Sequence, residues 1–205
     1  MIALVDYDAG NVKSVEKAVE KLGGEYVLTS DPSVVENADA VILPGVGNFG
    51  DCMEKLISRG LDKALISFAS SGKPFLGICV GLQLLFDESE ESPGVPGLGI
   101  LGGKIKRFPS SADLKVPQIG WNNVFDCKGR LFKGIDDGTF FYFVHSYYLE
   151  SADESIVSSK AEYGVTFHSS VESGNIFATQ FHPEKSSDAG LKVLGNFLDL
   201  VKEGR

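Results

Sequence analysis

The 205-residue chain has no hydrophobic run that approaches the roughly 20 residues a membrane-spanning helix needs. It also lacks a basic leader, because the apolar stretch begins at Met1 and is followed directly by Asp6. This order is typical of a first β-strand and not of a signal peptide. We therefore expect a cytoplasmic protein without a membrane anchor.

Cysteine is scarce, and basic residues are outnumbered by acidic ones. The three cysteines, Cys52, Cys79 and Cys127, are an odd number at wide spacings, which suits neither a disulfide framework nor a zinc site. With 19 basic against 28 acidic residues the formal net charge is -9, which argues against the positive surface that binds nucleic acids and anionic lipids. The expected partners are small molecules or proteins, with no metal or cofactor.

Length and composition favour one soluble domain over residues 1–205. Hydrophobic residues make up 43% and charged residues 23%, as in ordinary globular proteins. The first half alternates short apolar runs with segments of helical period, which predicts a largely parallel sheet and an α/β fold. The predicted strands are 2–5, 26–28, 40–43 and 75–78, and the predicted helices are 61–69 and one with its apolar face at Val15, Ala18, Val19 and Leu22.

The pattern changes after residues 93–103, which are rich in proline and glycine. Short aromatic runs follow, so we expect the sheet to continue as mixed or antiparallel. The predicted elements are a strand at 139–148, a hairpin of 165–169 with 176–180, and a last helix with its apolar face at Leu191, Leu194, Leu198 and Val201. Candidate N-caps are Asn11 or Ser14 for the first helix and Ser186 or Ser187 for the last.

Residues 77–81 read G-I-C-V-G at a predicted strand-to-helix turn. Glycines two residues before and after Cys79 form the thiol version of a nucleophile elbow, in which small residues let a strained turn approach neighbouring backbone. The positive end of the following helix would favour the thiolate that attacks carbonyl carbons. Taken alone, Cys79 would be interpreted as a small buried apolar residue, and that interpretation stands for Cys52 and Cys127.

A thiol nucleophile needs a general base, and the chain offers only His145, His168 and His182. His182 follows an apolar run and precedes Pro183, which predicts a loop at the end of a strand. Glu184 is two residues on and could hold the imidazole tautomer that takes the thiol proton. A solvated surface pair or two metal ligands fit the same spacing, although no second His or Cys cluster completes a metal site. We expect His145 to be a buried histidine and His168 a hairpin residue.

Residues 44–50, here called the glycine loop, read P-G-V-G-N-F-G and follow a predicted strand. They lack the lysine of a phosphate-binding loop and the spacing of a dinucleotide fingerprint. Acyl transfer needs two N–H donors directed at the developing oxyanion, and the amide of Val80 could act with one from this loop, at Val46 or Gly47. An ordinary strand-to-helix turn fits the same residues.

Three segments follow one another along the chain: P-G-V-G at 44–47, G-I-C-V-G-L-Q-L-L-F at 77–86, and Q-F-H-P-E-K-S at 180–186. Together they resemble the class I, triad-type, glutamine amidotransferases over nearly the whole chain. The resemblance implies a flavodoxin-like α/β fold, with a central mixed, mostly parallel sheet flanked by helices. It also implies an enzyme that hydrolyses L-glutamine to glutamate and ammonia through a cysteine thioester.

The resemblance also implies roles for individual residues. Cys79 would attack the side-chain amide of glutamine, His182 would transfer protons, and Glu184 would orient His182. The glutamine pocket would be lined by Gly47, Gln83, Glu91 and Ser146. Glu91 lies in an acidic run and could instead be solvated.

Further motifs narrow the resemblance to one branch of this family. They read D-Y-D-A-G-N at 6–11, G-W-N at 120–122 and Y-F-V-H-S-Y at 142–147. Members of that branch pair with a cyclase, a (β/α)8 barrel of histidine synthesis, and pass ammonia to it within a heterodimer. By the same resemblance, Asn11, Trp121 and Lys185 would face the partner.

Three alternative functions also fit these residues. One is an ammonia-donating subunit for pyridoxal phosphate synthesis, although its loop reads P-G-G-E-S where this chain has P-G-V-G. Another is a non-enzymatic α/β module with a redox-sensing cysteine. The third is a cysteine peptidase on the same fold.

Overall fold

The computed structural model describes residues 1–8, 12–109 and 114–204. In the first half, strands and helices alternate as predicted: β1 (Ile2–Val5), α1 (Val12–Lys21), β2 (Tyr26–Thr29), α2 (Pro32–Asn37), β3 (Ala40–Gly45), α3 (Phe49–Ser58), α4 (Leu61–Ala69), β4 (Phe75–Cys79) and α5 (Val80–Leu84). The second half is mainly β-structure: β5 (Glu88–Ser89), β6 (Gly103–Arg107), β7 (Gln118–Phe125), β8 (Phe140–His145), β9 (Tyr147–Ser151), β10 (Val157–Glu162), β11 (Thr166–Ser173) and β12 (Ile176–Thr179). Two 3-10 turns, Glu154–Ile156 and Pro183–Lys185, and helix α6 (Ser187–Glu203) complete the described elements.

The twelve strands of the described residues form one mixed sheet. Its main path runs β2-β1-β3-β4-β12-β11-β10-β7-β8, while β9 joins β11 to β6, which pairs with β5. Pairing is parallel from β2 to β12 and antiparallel from β12 to β8. The predicted α/β fold with a mixed sheet is therefore confirmed, with the parallel strands on one side and an antiparallel extension on the other.

Burial follows the hydrophobic pattern of the sequence. Strands β1, β3 and β4 are buried along their whole length, as expected for parallel strands covered by helices on both faces. The predicted inward faces of α1 and α6 are buried except for Leu22 and Leu191, which are half-buried. None of the helices in the described part of the chain is long and apolar enough to cross a membrane.

The aromatic segment 139–148 was predicted as one strand, and this is wrong. It forms β8 and β9, which separate at Ser146. The reason is tertiary: β8 pairs with β7, whereas β9 pairs with β6 and β11. The hairpin is confirmed as β11 and β12, although β11 runs on to Ser173 and leaves a tighter turn than expected.

Among the predicted helix caps that fall within the described residues, only Ser186 occupies a cap position. Ser14 lies inside α1, so it is not a cap, and Asn11 lies outside the described residues. Ser186 is the N-cap residue of α6, as one of the two candidates predicted, but its side chain makes no capping hydrogen bond, and Ser187 is the first residue of the helix. The hydroxyl of Ser186 is engaged elsewhere, donating to the carbonyl of His182.

The parallel strands end at one edge of the sheet, because they all run in the same direction. Gly45 at the end of β3 lies opposite Cys79 at the end of β4, and Thr179 at the end of β12 lies opposite Ile78. In open α/β sheets, ligands bind outside this edge. The register thus brings together the candidate nucleophile, the glycine loop and the segment that holds His182.

Candidate active site

Cys79 occupies a strained turn between β4 and α5, with φ 56° and ψ -112°. A positive φ is unusual for a residue with a side chain and points to a functional position. The flanking glycines allow it. A Cβ on Gly81 would lie 1.9 Å from the carbonyl oxygen of Leu43, and one on Gly77 would lie 2.8 Å from that of Gly81. The G-x-C-x-G pattern therefore has a steric cause: the elbow packs against β3.

His182 and Glu184 form a buried pair just after β12. The 3-10 turn that starts at Pro183 folds Glu184 back, so that Nδ1 of His182 donates to Oε1 of Glu184 at 2.8 Å. Both side chains are only 2% exposed, which rules out the solvated surface pair. The other imidazole nitrogen, Nε2, is buried without a hydrogen-bond partner among the described residues. Nε2 is thus the nitrogen available for proton transfer.

The ionisation of His182 depends on Cys79. Burial by itself lowers the pKa of His182, but the charge and polarity of Cys79 and the Glu184 carboxylate outweigh burial and raise this pKa to about 10. Cys79 and His182 both line one cavity, and no hydrogen bond joins the sulfur to Nε2. Such loose alignment is common before substrate binds. The raised pKa favours the protonated imidazole, which can give up a proton during a reaction.

Two buried donors hold carbonyl groups of the glycine loop. The hydroxyl of Tyr7 donates to the carbonyl oxygen of Pro44 at 3.0 Å, and the thiol of Cys52 donates to that of Val46 at 3.6 Å. Because a peptide unit is planar and trans, a Val46 carbonyl directed at α3 sends the N–H of Gly47 the opposite way. Burial of Cys52 was predicted, but its contact with the loop was not, and Tyr7 was overlooked.

A cavity of about 250 Å³ lies between these elements. It is lined by Val46, Gly47, Cys79, Val80, Gln83, Glu91, Pro117, Val144, His145, Ser146, Tyr147 and His182. Every residue proposed from the sequence for the oxyanion hole and the glutamine pocket is in this set. Four lining residues were not proposed from the sequence, because only the pairing of distant strands brings them to the cavity. They are Pro117, Val144, His145 and Tyr147.

Gln83 and Glu91 offer acceptors to a ligand. The amide nitrogen of Gln83 lies 3.1 Å from the carbonyl oxygen of Tyr147 and 3.0 Å from Oε1 of Gln180, so both N–H bonds are used and only its oxygen is left. Glu91 is not merely solvated, because Oε2 accepts the N–H of Phe49 at the start of α3 at 2.7 Å. Burial raises the pKa of Glu91, although the bond from Phe49 opposes the shift.

His145 is a buried, neutral neighbour of the cavity, as expected. Burial lowers its pKa to about 4, against the opposing hydrogen bond to the Tyr147 carbonyl. Nδ1 lies 2.8 Å from that carbonyl, which can only accept, so Nδ1 carries the hydrogen. Nε2 lies 3.0 Å from Oε1 of Gln118. Because Nε2 of the neutral ring carries no hydrogen, the Gln118 amide must be turned so that its nitrogen donates to Nε2.

We expect His145 to make the protein less stable in weak acid. Between its ordinary pKa of 6.5 and its folded-state pKa of about 4, the unfolded chain binds a proton that the folded protein does not. The free energy of unfolding therefore falls as the pH falls through this window. From about pH 7.5 to about pH 5, urea unfolding should show a loss about 2 kcal/mol larger in wild type than in His145→Gln. Equal losses would contradict this prediction.

Trp121 and Lys185, which were proposed to face a partner, are not among the residues that line the cavity. Trp121 is 53% exposed on β7, and its ring meets that of Tyr142 edge-on at 6.3 Å. The amino group of Lys185 lies 6.0 Å from the same tyrosine ring. His168 pairs with Glu154 and has no part in the cavity. No cluster of metal-ligating side chains occurs within the described ranges.

A known protein family and several known proteins are similar to this chain over nearly its whole length. The family model for "Glutamine amidotransferase class-I" matches residues 3–200. The imidazole glycerol phosphate synthase subunit HisH of Moorella thermoacetica is 52% identical over 98% of this chain and 95% of that protein. The protein of the same name from Methanothermobacter thermautotrophicus is 48% identical over 98% of this chain and 100% of that protein.

A solved structure gives the same result for the fold. One chain of PurLQS from Thermotoga maritima superimposes with a TM-score of 0.71, covering 97% of this chain and 97% of that chain at 21% sequence identity. The match of the family model over nearly all residues, together with relatives at about half identity, shows that the chain belongs to the class I glutamine amidotransferases.

Proposed function

We propose that this chain is the glutaminase subunit of an imidazole glycerol phosphate synthase. It hydrolyses L-glutamine to glutamate and ammonia, and a cyclase subunit uses the ammonia to make imidazole glycerol phosphate and AICAR in histidine biosynthesis. The observation that carries the proposal is the convergence of Cys79, the His182–Glu184 pair and the glycine loop on one cavity. Both similar proteins bear the name of that synthase, which favours this function over the pyridoxal phosphate, redox-sensing and peptidase alternatives.

The first half-reaction forms a thioester. The Cys79 thiolate attacks the side-chain carbonyl carbon of glutamine, and the carbonyl oxygen becomes an oxyanion. The N–H of Val80 and one from the glycine loop, at Val46 or Gly47, stabilise this charge. When the intermediate collapses, the C–N bond breaks, and His182 Nε2 gives its proton to the departing ammonia.

The second half-reaction restores the enzyme. His182, now neutral, takes a proton from water while the water oxygen attacks the thioester carbon. A second oxyanion forms and collapses, the C–S bond breaks, and glutamate leaves with the thiolate regenerated. Glu184 holds Nδ1–H throughout and stabilises the imidazolium, as its 2.8 Å contact allows.

The pocket recognises the amino-acid end of glutamine. The free oxygen of Gln83 and the carboxylate of Glu91 both accept hydrogen bonds, so they suit the α-ammonium group. Gly47 and Ser146 complete this part of the pocket.

An exposed apolar face adjoins the cavity and is the proposed interface with the cyclase, a (β/α)8 barrel, in a cytoplasmic heterodimer. Ile119, Trp121 and Phe140 are 64%, 53% and 56% exposed on β7 and β8. Ile119 pairs with Val144, which lines the cavity, so the face and the site are continuous. Lys185 and Asn11 are the proposed polar contacts. A water-free conduit across this interface would keep ammonia unprotonated, and therefore nucleophilic, on its way to the cyclase.

The test compares glutamate release by the chain alone and with a cyclase subunit occupied by its ligand. We expect the isolated chain to be a poor glutaminase and the liganded complex to be much faster, because partner contacts complete the oxyanion hole. Equal rates with and without the cyclase would contradict the pathway assignment.

Trp121→Ala should weaken binding of the cyclase about tenfold or more, since large aromatic side chains carry much of the energy of interfaces. Ile66→Ala is the matched control, because Ile66 is also an exposed apolar residue but lies on α4. Titration by fluorescence or calorimetry measures both variants. Equal affinities for the two would exclude Trp121 from the interface.

A further inference from the structure

Gln180 has no role in the mechanism above, yet it lies against the reacting atom. It follows β12 directly and is completely buried. Its amide nitrogen lies 3.8 Å from the sulfur of Cys79, within the range of a hydrogen bond to sulfur. The sulfur also lies 4.0 Å from the carbonyl oxygen of Val144. The sulfur thus has a donor on one side, which favours the thiolate, and an acceptor on another, which favours the thiol.

The orientation of the Gln180 amide follows from a backbone group. The carbonyl oxygen of Tyr147 can only accept, so Gln83 must present its nitrogen there. The same nitrogen of Gln83 lies 3.0 Å from Gln180, which must therefore present its oxygen to Gln83. The nitrogen of Gln180 is left facing Cys79. This chain of bonds removes the ambiguity between amide nitrogen and oxygen.

We propose that Gln180 is a positioning residue for the nucleophile, whose amide N–H donates to the Cys79 sulfur, favours the thiolate and holds it in the cavity. A neutral amide suits this role, because it stabilises an anion without taking up its proton. Its burial keeps water from replacing it. The proposal rests on the proposed function only in taking the thiolate as the reactive form of Cys79.

The test is the rate at which iodoacetamide alkylates Cys79 as a function of pH, followed on the Cys79 peptide by mass spectrometry. In Gln180→Met the donor is lost, and the midpoint of the profile should move about one pH unit higher. In Gln180→Glu the shape and the acceptor for Gln83 are kept, but a carboxylate faces the sulfur. The midpoint should then move further up.

Asn196→Leu is the control for loss of a buried amide. Asn196 donates to the carbonyls of Leu131 and Lys133 and does not contact Cys79, so its variant should lose stability without a shift of the midpoint. If Gln180→Met does not fold, the nearly isosteric Gln180→Glu decides the question. Midpoints of the Gln180 variants that match wild type would overturn the proposal.

The test of Gln180 and the test of the proposed function can fail independently of each other. Glutaminase activity that persists in Cys79→Ala would refute the proposed nucleophile and leave the alkylation profile valid. An unshifted profile alongside cysteine-dependent glutaminase activity would refute only the role of Gln180.

Discussion

Replacing Cys79 with alanine should reduce glutamate release at least about 10⁴-fold, even with the liganded cyclase present. The thioester cannot form without the sulfur, and the oxyanion donors alone give little hydrolysis of an amide. Glutamate release in the reconstituted complex measures the effect. The complex should still use ammonia supplied in solution, which shows that the variant folds and that the cyclase is intact.

Cys127 provides the matched control, because Cys52 contacts the glycine loop. Burial raises the pKa of Cys52 to about 11, and burial together with Asp137 raises that of Cys127 to about 12. Both thiols therefore remain protonated near neutral pH and are poor nucleophiles. Cys127→Ala should keep full glutaminase activity. A Cys79→Ala variant as active as Cys127→Ala would refute the proposed triad.

Gly81→Ala should destabilise the protein by about 3 kcal/mol or more and abolish glutamate release. The added methyl carbon would lie 1.9 Å from the carbonyl oxygen of Leu43, and that oxygen belongs to a buried strand that cannot move freely. Either the elbow or β3 must shift, and a shift of either one would change the shape of the cavity. Urea unfolding and the glutaminase assay measure the two effects.

Gly195→Ala supplies the control for this steric argument. Gly195 lies inside α6, and a Cβ there would meet no atom within 4 Å. Alanine is the better helix former by about 1 kcal/mol, so this variant should be as stable as wild type or more stable. Similar losses of stability in the two variants would refute the close approach at the elbow.

The local elements of this fold could be predicted from the hydrophobic pattern. Helix α4 has the predicted bounds, Leu61–Ala69, and β1 the predicted residues, because each buries one regular apolar pattern. The prediction of a single strand over 139–148 is wrong because the aromatic composition favours a strand throughout this segment. Its division at Ser146 depends on which strands lie beside each half.

The catalytic candidates were also accessible from the sequence, since each is encoded by near neighbours. The glycines beside Cys79 predicted the elbow, and the two-residue spacing from His182 to Glu184 predicted their contact, 2.8 Å in the structure. Their proposed roles come from these local patterns and from the family motifs.

Other contacts exist only because distant segments meet. Gln180 and Cys79 are 101 residues apart, and Tyr7 and Pro44 are 37 apart. The parallel register of β12 on β4 creates the first contact, and that of β1 on β3 creates the second. By itself, the sequence predicted the regular elements of the first half and the candidate roles of Cys79 and His182. The tertiary structure decided which buried donors face the sulfur and the glycine loop, because hydrogen bonds depend on distance in space and not on separation along the chain.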